Sequence, residues 1–216
     1  MILKPKNREE WLRMREETGI GGSDAGTVLG LNPWCSNLQL WRYKSGLDKP
    51  EDISDKPAVM FGKVAEEHIR ELFILDYPEF TVNYHEFWMH CNDSLPWLFA
   101  TLDGEIEDDT GNGQRGILEI KTTTIMNKSQ WDEWEDRIPD RYFAQILHQL
   151  AATGWDFAFL RAYIRYYKCG AFRAAVRDFR IDRKDVEEDI AYLIEKESAF
   201  MEAVKQKKPP AAIITM

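Results

Sequence analysis

The apolar residues of this chain change period along its length, and that succession limits the fold more than any single motif. Over 61–77, Phe61, Ala65, Ile69, Leu72 and Phe73 fall on one side at 100° per residue, the signature of an amphipathic helix. Residues 80–89 are then rich in aromatic and β-branched side chains. Segments 98–106 and 116–123 flank a turn-rich stretch, 107–115, that contains Gly111-Asn112-Gly113. These three segments predict strands, the last two a hairpin. A helix follows over 139–154, with Pro139 in its first turn and Gly154 as its stop. Strands over 157–167 and 171–181 turn around Cys169-Gly170, and Asp182 is placed to cap a last helix to Lys207. The order α-β-β-β-α-β-β-α describes an α/β domain with a central mixed β-sheet flanked by helices.

Helices also precede this core. Asn7 can cap one that ends at Glu17 before Gly19. Gly21-Gly22-Ser23-Asp24 opens a short one toward Leu29, and Ser36 with Gln39 reads as a capping box for another that ends at Gly46. Residues 49–57 read as a mobile loop. The tail from Lys205 to Met216, with Pro209-Pro210, is expected to leave the surface. The 216 residues suit one core, since single cores grow to roughly 250 residues. The expected organisation is a single domain over 1–216. A helical segment 1–58 packs on a core 59–181, followed by a C-terminal helix and tail 182–216.

Composition narrows the function. No apolar run approaches the ~18 residues of a membrane helix, and the N-terminus lacks a signal-peptide core, so a cytoplasmic protein is expected. Cys35, Cys91 and Cys169 are far apart and form no CxxC pair, which leaves three small buried hydrophobes as the simplest reading. His68, His85, His90 and His148 make no HExxH, and no GxSxG or Walker loop occurs. His148 shares a helix with Gln145, where it either lines the cleft or sits satisfied in the core. The net charge of -9 disfavours a uniformly basic nucleic-acid coat. Residues 51–110 hold 15 acidic and 3 basic groups, whereas 157–180 holds six basic residues against Asp178 alone. That basic run is either one working face or ordinary solvated charge.

The chemistry concentrates in Gly116-Ile-Leu-Glu119-Ile-Lys121. With a strand period of two, Leu118 and Ile120 face one side, and Glu119 and Lys121 the other. If the hairpin forms, Asp103 approaches Glu119. Two carboxylates on adjacent strands suit a hard cation such as Mg²⁺, with the Ile120 carbonyl as a third ligand. On the helix before them, Glu66 flanks the apolar face while Glu67 points to solvent, so Glu66 is the carboxylate to complete the shell. Lys121 is placed to orient a water or neutralise charge on a phosphate. A salt bridge from Lys121 to Glu119 or Asp103 on a half-exposed sheet is the plain alternative.

Asp103-Gly104 followed by Leu118-Glu119-Ile120-Lys121 resembles the PD-(D/E)xK nuclease core, with Thr101-Leu102 where the leading Pro often stands. Around it lie Ile20-Gly-Gly-Ser-Asp24, Leu29-Gly-Leu-Asn-Pro33, Trp41 and Gly46, and Gly62-x-x-x-Glu66. Tyr142-Phe-Ala-Gln145 leads on to Gly154. In this order, over about 8–165, the chain resembles the YqaJ viral recombinase family, which includes phage lambda-type alkaline exonucleases. The resemblance implies a restriction-endonuclease-like PD-(D/E)xK fold. It also implies a Mg²⁺-dependent exonuclease with a two-metal site that tolerates Mn²⁺, digesting linear duplex DNA from the 5′ end.

The same resemblance implies a homotrimer, a single-strand annealing recombinase as partner, and the host cytoplasm as its place if phage-encoded. By motif match, Glu66, Asp103, Glu119 and the Ile120 carbonyl would hold metal, Lys121 would assist the water, and Gln145 would be the active-site glutamine. Ser23 and Thr101 would meet the 5′-phosphate. The family's arginine falls at Glu16, so Arg15 or Arg13 is expected to serve. Trp34, Trp41, Trp88, Trp97, Trp131, Trp134 and Trp155 are expected mostly in packing, with Trp131 and Trp134 in a mobile loop beside the site. Other readings are a RecB-type, iron–sulfur or restriction-type nuclease on the same core, or an inactive DNA-binding relative.

Overall fold

A computed structural model describes residues 1–213. Strand β1 (Ile2–Leu3) leads to α1 (Arg8–Thr18), where the Asn7 side chain accepts from the Glu10 amide at the N-cap. Strand β2 (Ile20–Gly21), α2 (Gly22–Val28) and α3 (Asn37–Lys44) follow, α3 capped by Ser36 through the Gln39 amide. Helix α4 (Pro57–Asp76) begins four residues earlier than its apolar stripe, because Pro57 pre-sets the first turn.

Two of the three expected strands of the middle region are divided, while the third, 116–123, is one strand. Residues 80–89 give β3 (Phe80–Asn83) and β4 (Met89–Cys91), and 98–106 gives β5 (Leu98–Ala100) and β6 (Gly104–Asp108). The halves belong to different sheets, so the single central sheet becomes two. One is ordered β1-β4-β5-β2 and the other β3-β6-β7-β8-β9, each with one parallel and otherwise antiparallel pairs. Strands β7 (Arg115–Ile125), β8 (Phe157–Lys168) and β9 (Ala171–Asp182) form the long side of the second sheet. The β6–β7 pair is the expected hairpin.

The parallel step from β7 to β8 runs through α5 (Lys128–Asp132) and α6 (Asp140–Thr153). Gly154 ends α6 at a left-handed φ of 73°. Asp182 does not cap the last helix. It ends β9, a 3₁₀ turn follows, and α7 (Glu187–Lys205) starts afterwards. The tail does not leave the surface either. The Asn37 side chain donates to the Ala211 carbonyl at 2.8 Å and accepts from the Ile213 amide at 3.3 Å, so the chain returns to α3. The last three tail residues lie outside the described part.

Helix α4 covers one face of the second sheet, where Ile69 and Phe73 meet Leu118, Ile120, Phe157 and Phe159. Helix α6 covers the opposite face, with Ile146, Leu147 and Leu150 against Ile117, Leu160 and Ala162. The sheet is thus buried on both sides, which is why β8 opens on the apolar run Phe157–Leu160. Gly116 lies opposite Phe157 in the parallel ladder, and a Cβ there would stand 2.2 Å from the phenyl ring. Gly116→Ala is expected to cost about 1–3 kcal/mol through overpacking. A lower urea midpoint with an unchanged m-value would show it.

Candidate active site

The break between β5 and β6 builds the site. Residues 101–103 carry the chain from one sheet to the other, and Gly104 starts the ladder opposite Leu118. Asp103 is therefore delivered at the level of Glu119. Its Oδ2 accepts the Ile120 N–H at 2.8 Å, and Arg70 Nη1 holds its carbonyl at 2.6 Å. The close approach needs a glycine next door, since a Cβ on Gly104 would meet Val82 at 2.8 Å.

The alternation on β7 is as expected. Leu118 and Ile120 pack under α4, and Glu119 and Lys121 face α6. Glu119 is only 2% exposed. Its Oε1 accepts from Lys121 Nζ and from Gln145 Nε2, the latter at 2.6 Å, and its Oε2 accepts from Gln149 Nε2 at 2.5 Å. The Lys121–Glu119 ion pair exists, but in a buried setting rather than on a half-exposed sheet. Glu66 stands on α4, half-buried, with Arg70 Nη1 at 3.5 Å.

Electrostatics join the three carboxylates. Burial, then the charges of Glu119 and Glu66, push Asp103 well above the usual aspartate range, against the pull of Lys121 and the Ile120 N–H. Burial also raises Glu66, with Arg70 offsetting it and Glu119 adding to it. Burial alone would lower Lys121, but Glu119 and Asp103 outweigh it and hold the ammonium more firmly protonated. Among the described residues, no three His, Cys, Asp or Glu side chains converge as a ready-made metal cage. The Glu119 oxygens are turned to ammonium and amide donors, and Glu66 to Arg70. The donor set still fits a hard cation, being all oxygen, buried and mutually repelling.

A second cluster adjoins the first. Arg15 Nη2 donates to Ser23 Oγ at 3.3 Å, and Trp11 Nε1 donates to Thr101 Oγ1 at 3.2 Å. The Arg15 guanidinium lies 4.6 Å from the Trp11 ring centre. Burial lowers Arg15, with Asp24 opposing. Arg13 instead is exposed and lies 4.0 Å from Glu10, so α1 presents Arg15 to Ser23 and turns Arg13 to solvent. The Gly-Gly-Ser turn is anchored by Asp24, which accepts from the Gly21 N–H at 3.1 Å and pairs with Lys44 at 2.8 Å. Gly22 presses on α6, where an added Cβ would lie 3.3 Å from Gln145 Cγ and 3.4 Å from Gln149 Cγ. One residue thus separates Ser23 from the glutamines that hold Glu119.

Sequence reasoning missed Gln149, Trp11 and Arg70. Each carried a signal, for Gln149 lies one turn after Gln145, Trp11 one turn before Arg15, and Arg70 one turn after Glu66. Other expectations are corrected. Trp134 is buried against Tyr142 and Phe179, and Trp131 packs edge-on to Tyr166. Of the cysteines only Cys91 is buried, while Cys169 is exposed at the β8–β9 turn. His148, by contrast, is a satisfied core histidine, one of its two expected readings, bonded to Glu197 at 2.7 Å and to the Phe99 carbonyl at 2.8 Å. The basic run of 157–180 is not one face. Arg161 is buried between Asp76 and Asp178, and Arg180 pairs with Asp182.

Residues 10–156 match the YqaJ-like viral recombinase domain. The chain belongs to this family. It is 32% identical over 164 residues to the uncharacterized protein YqaJ of Bacillus subtilis (strain 168), a match that covers 70% of this chain and 44% of that protein. The chain thus spans under half the length of that relative. Its fold is that of the alkaline exonuclease LHK-Exo from Laribacter hongkongensis, at 21% identity and a TM-score of 0.68, covering 93% of this chain and 94% of the other. The same enzyme in complex with dAMP gives a TM-score of 0.68 at 20% identity, with the same coverage. The two mixed sheets and their helices are therefore the restriction-endonuclease-like PD-(D/E)xK architecture. No helix among the described residues is long and apolar enough to cross a membrane.

The raised Asp103 makes a sign prediction. The folded chain binds that proton more tightly than the unfolded chain, so ionisation destabilises the fold as pH rises past the ordinary aspartate value of about 3.9. Asp103→Asn keeps an acceptor for the Ile120 N–H and removes the charge. In EDTA at pH 8 it should raise the thermal midpoint by about 2–4 °C, the shift given by ~1 kcal/mol in a domain of this size. The gain should shrink toward pH 4. An equal gain at both pH values would deny the electrostatic cause.

Proposed function

We propose that this chain is a Mg²⁺-dependent exonuclease that degrades one strand of linear duplex DNA from its 5′ end and leaves a 3′ single strand for recombination by annealing. The observation that carries the reading is one contiguous cluster. Asp103, Glu119, Lys121 and Gln145 are interlocked, and Gly22 joins them to Ser23 and Arg15. Family membership supports the recombination context. The DNA-end specificity rests on the second cluster, where a cation and two hydroxyls suit a terminal phosphate. The whole of 1–216 acts as one nuclease unit, assembled as a homotrimer, in the host cytoplasm if phage-encoded, beside a single-strand annealing recombinase.

Glu66, Asp103, Glu119 and the Ile120 carbonyl would hold the divalent ions, two in number, with Mn²⁺ able to replace Mg²⁺. When bound, such ions supply Lewis acidity toward the phosphate and a more acidic water. The chain does the rest. Lys121, kept positive by Glu119 and Asp103, neutralises charge that develops on the scissile phosphate or orients the attacking water. Gln145 fixes Glu119 and offers its amide to water or phosphate. Arg15, Ser23 and Thr101 grip the 5′-phosphate, with Trp11 holding both Arg15 and Thr101 in place.

Linear duplex, nicked circle and closed circle incubated with Mg²⁺ should show loss of the linear form alone, and none in EDTA. Cleavage of closed circles would overturn the exonuclease reading. Lys121→Ala should lower the rate by about 10²–10³, as should Asp103→Asn, with DNA-end binding retained. Arg15→Ala should act differently. Single-turnover rates on 5′-phosphorylated and 5′-hydroxyl duplexes should converge, by a loss of about tenfold or more on the phosphorylated end, as expected for ~1.5–3 kcal/mol in a charged hydrogen bond. An undiminished preference for the 5′-phosphate would remove Arg15 from that pocket.

A further inference from the structure

Glu119 is held by three side-chain donors, and one of them, Gln149, has no part in the chemistry proposed above. Gln149 is fully buried on α6. Its Nε2 reaches Glu119 Oε2 at 2.5 Å, whereas Lys121 and Gln145 both reach Oε1. The orientation of this amide is dictated by charge. Reversed, it would set its carbonyl against a carboxylate oxygen. The other end of the amide, Oε1, is buried with no hydrogen-bond partner among the described residues. A buried orphan acceptor is destabilising, and an apolar side chain of the same size would fill the space without it. Packing alone therefore does not explain a glutamine here.

Counting acceptor positions supplies the reason. A carboxylate oxygen accepts about two hydrogen bonds. Two donors fill Oε1 of Glu119, and one donor occupies Oε2. The Gln149 bond restrains rotation of the carboxylate, so it sets where a second partner of Oε2 can stand. Gly22 keeps the glutamine in place, since α2 closes on Gln145 Cγ and Gln149 Cγ together. We propose that Gln149 is a positioning residue that locks the Glu119 carboxylate so that Oε2 keeps one acceptor position for the divalent cation. This rests on the nuclease reading above, and acts through Glu119 rather than by touching substrate.

The test uses the full chain and Mn²⁺ alone, titrated calorimetrically without DNA. Gln149→Met keeps the volume and removes both the donor and the orphan carbonyl. The Mn²⁺ dissociation constant should rise about tenfold or more, as for the loss of an outer partner of a metal ligand. The Mn²⁺ concentration for half-maximal cleavage should rise in parallel, with the rate at saturating metal near that of wild type. Binding of 5′-phosphorylated duplex ends in EDTA should be unchanged, and the variant should stay folded in EDTA with a lower thermal midpoint, because Glu119 keeps two of its three donors. Unaltered Mn²⁺ affinity in a folded variant overturns the proposal, as does a lost saturating rate with normal affinity. If Gln149→Met does not fold, Gln149→Leu is read the same way. Failure of both to fold while Glu119→Gln folds makes the role purely structural and also overturns it. Wild type that binds Mn²⁺ but cuts no DNA refutes the nuclease reading and leaves the positioning role standing on the affinity shift.

Discussion

The rest of the structure is arranged around one buried carboxylate. Glu119 projects from the middle of an apolar strand into the layer between the sheet and α6, where an unpaired charge would be prohibitive. Three donors make it tolerable, one from its own strand and two from α6. That requirement ties the register of α6 to β7, and the parallel step from β7 to β8 places α6 over that face. Helix α2 is then pressed onto the two glutamines through Gly22. Removing one partner from such a group leaves the others under-satisfied, so the cluster behaves as a unit.

Asp103 adds tension of an electrostatic kind. It enters at the seam between the two sheets, pinned by the Ile120 N–H and by Arg70 on its carbonyl. Its own charge gains little from either, and two further carboxylates face it. The folded chain thus holds together groups that repel at neutral pH, in a place where hydrophobic packing on both faces of the sheet supplies the compensation.

Charge distribution follows the same logic. The acidic excess of 51–110 includes Glu66 and Asp103, and the basic run of 157–180 is partly consumed inside the fold, with Arg161 buried between two aspartates. Arg15, on the N-terminal helix, is instead braced by Trp11 and bonded to Ser23. A chain of net charge -9 can therefore present local positive potential beside its carboxylates.

Much of this was legible in the sequence. Period-two alternation put Glu119 with Lys121 and set them apart from Leu118 and Ile120. Caps and glycine stops marked α1, α3 and α6, because those signals are local and act through the backbone's own hydrogen bonds. The choice of Glu66 over Glu67 also followed from helical geometry. What failed was non-local. Segments 80–89 and 98–106 look continuous by propensity, and only the packing of two sheets decides that each must break. Asp182 resembles a cap, yet the ladder with β8 claims it. The choice between Arg13 and Arg15 depends on which side of α1 meets Ser23. The sequence by itself determined which residues share a strand face and where helices start and stop, since alternation and capping are properties of neighbouring residues. Tertiary structure alone decided that Gln149, Trp11 and Arg70 complete the site, because their partners lie 30, 90 and 33 positions away and only burial makes those hydrogen bonds obligatory.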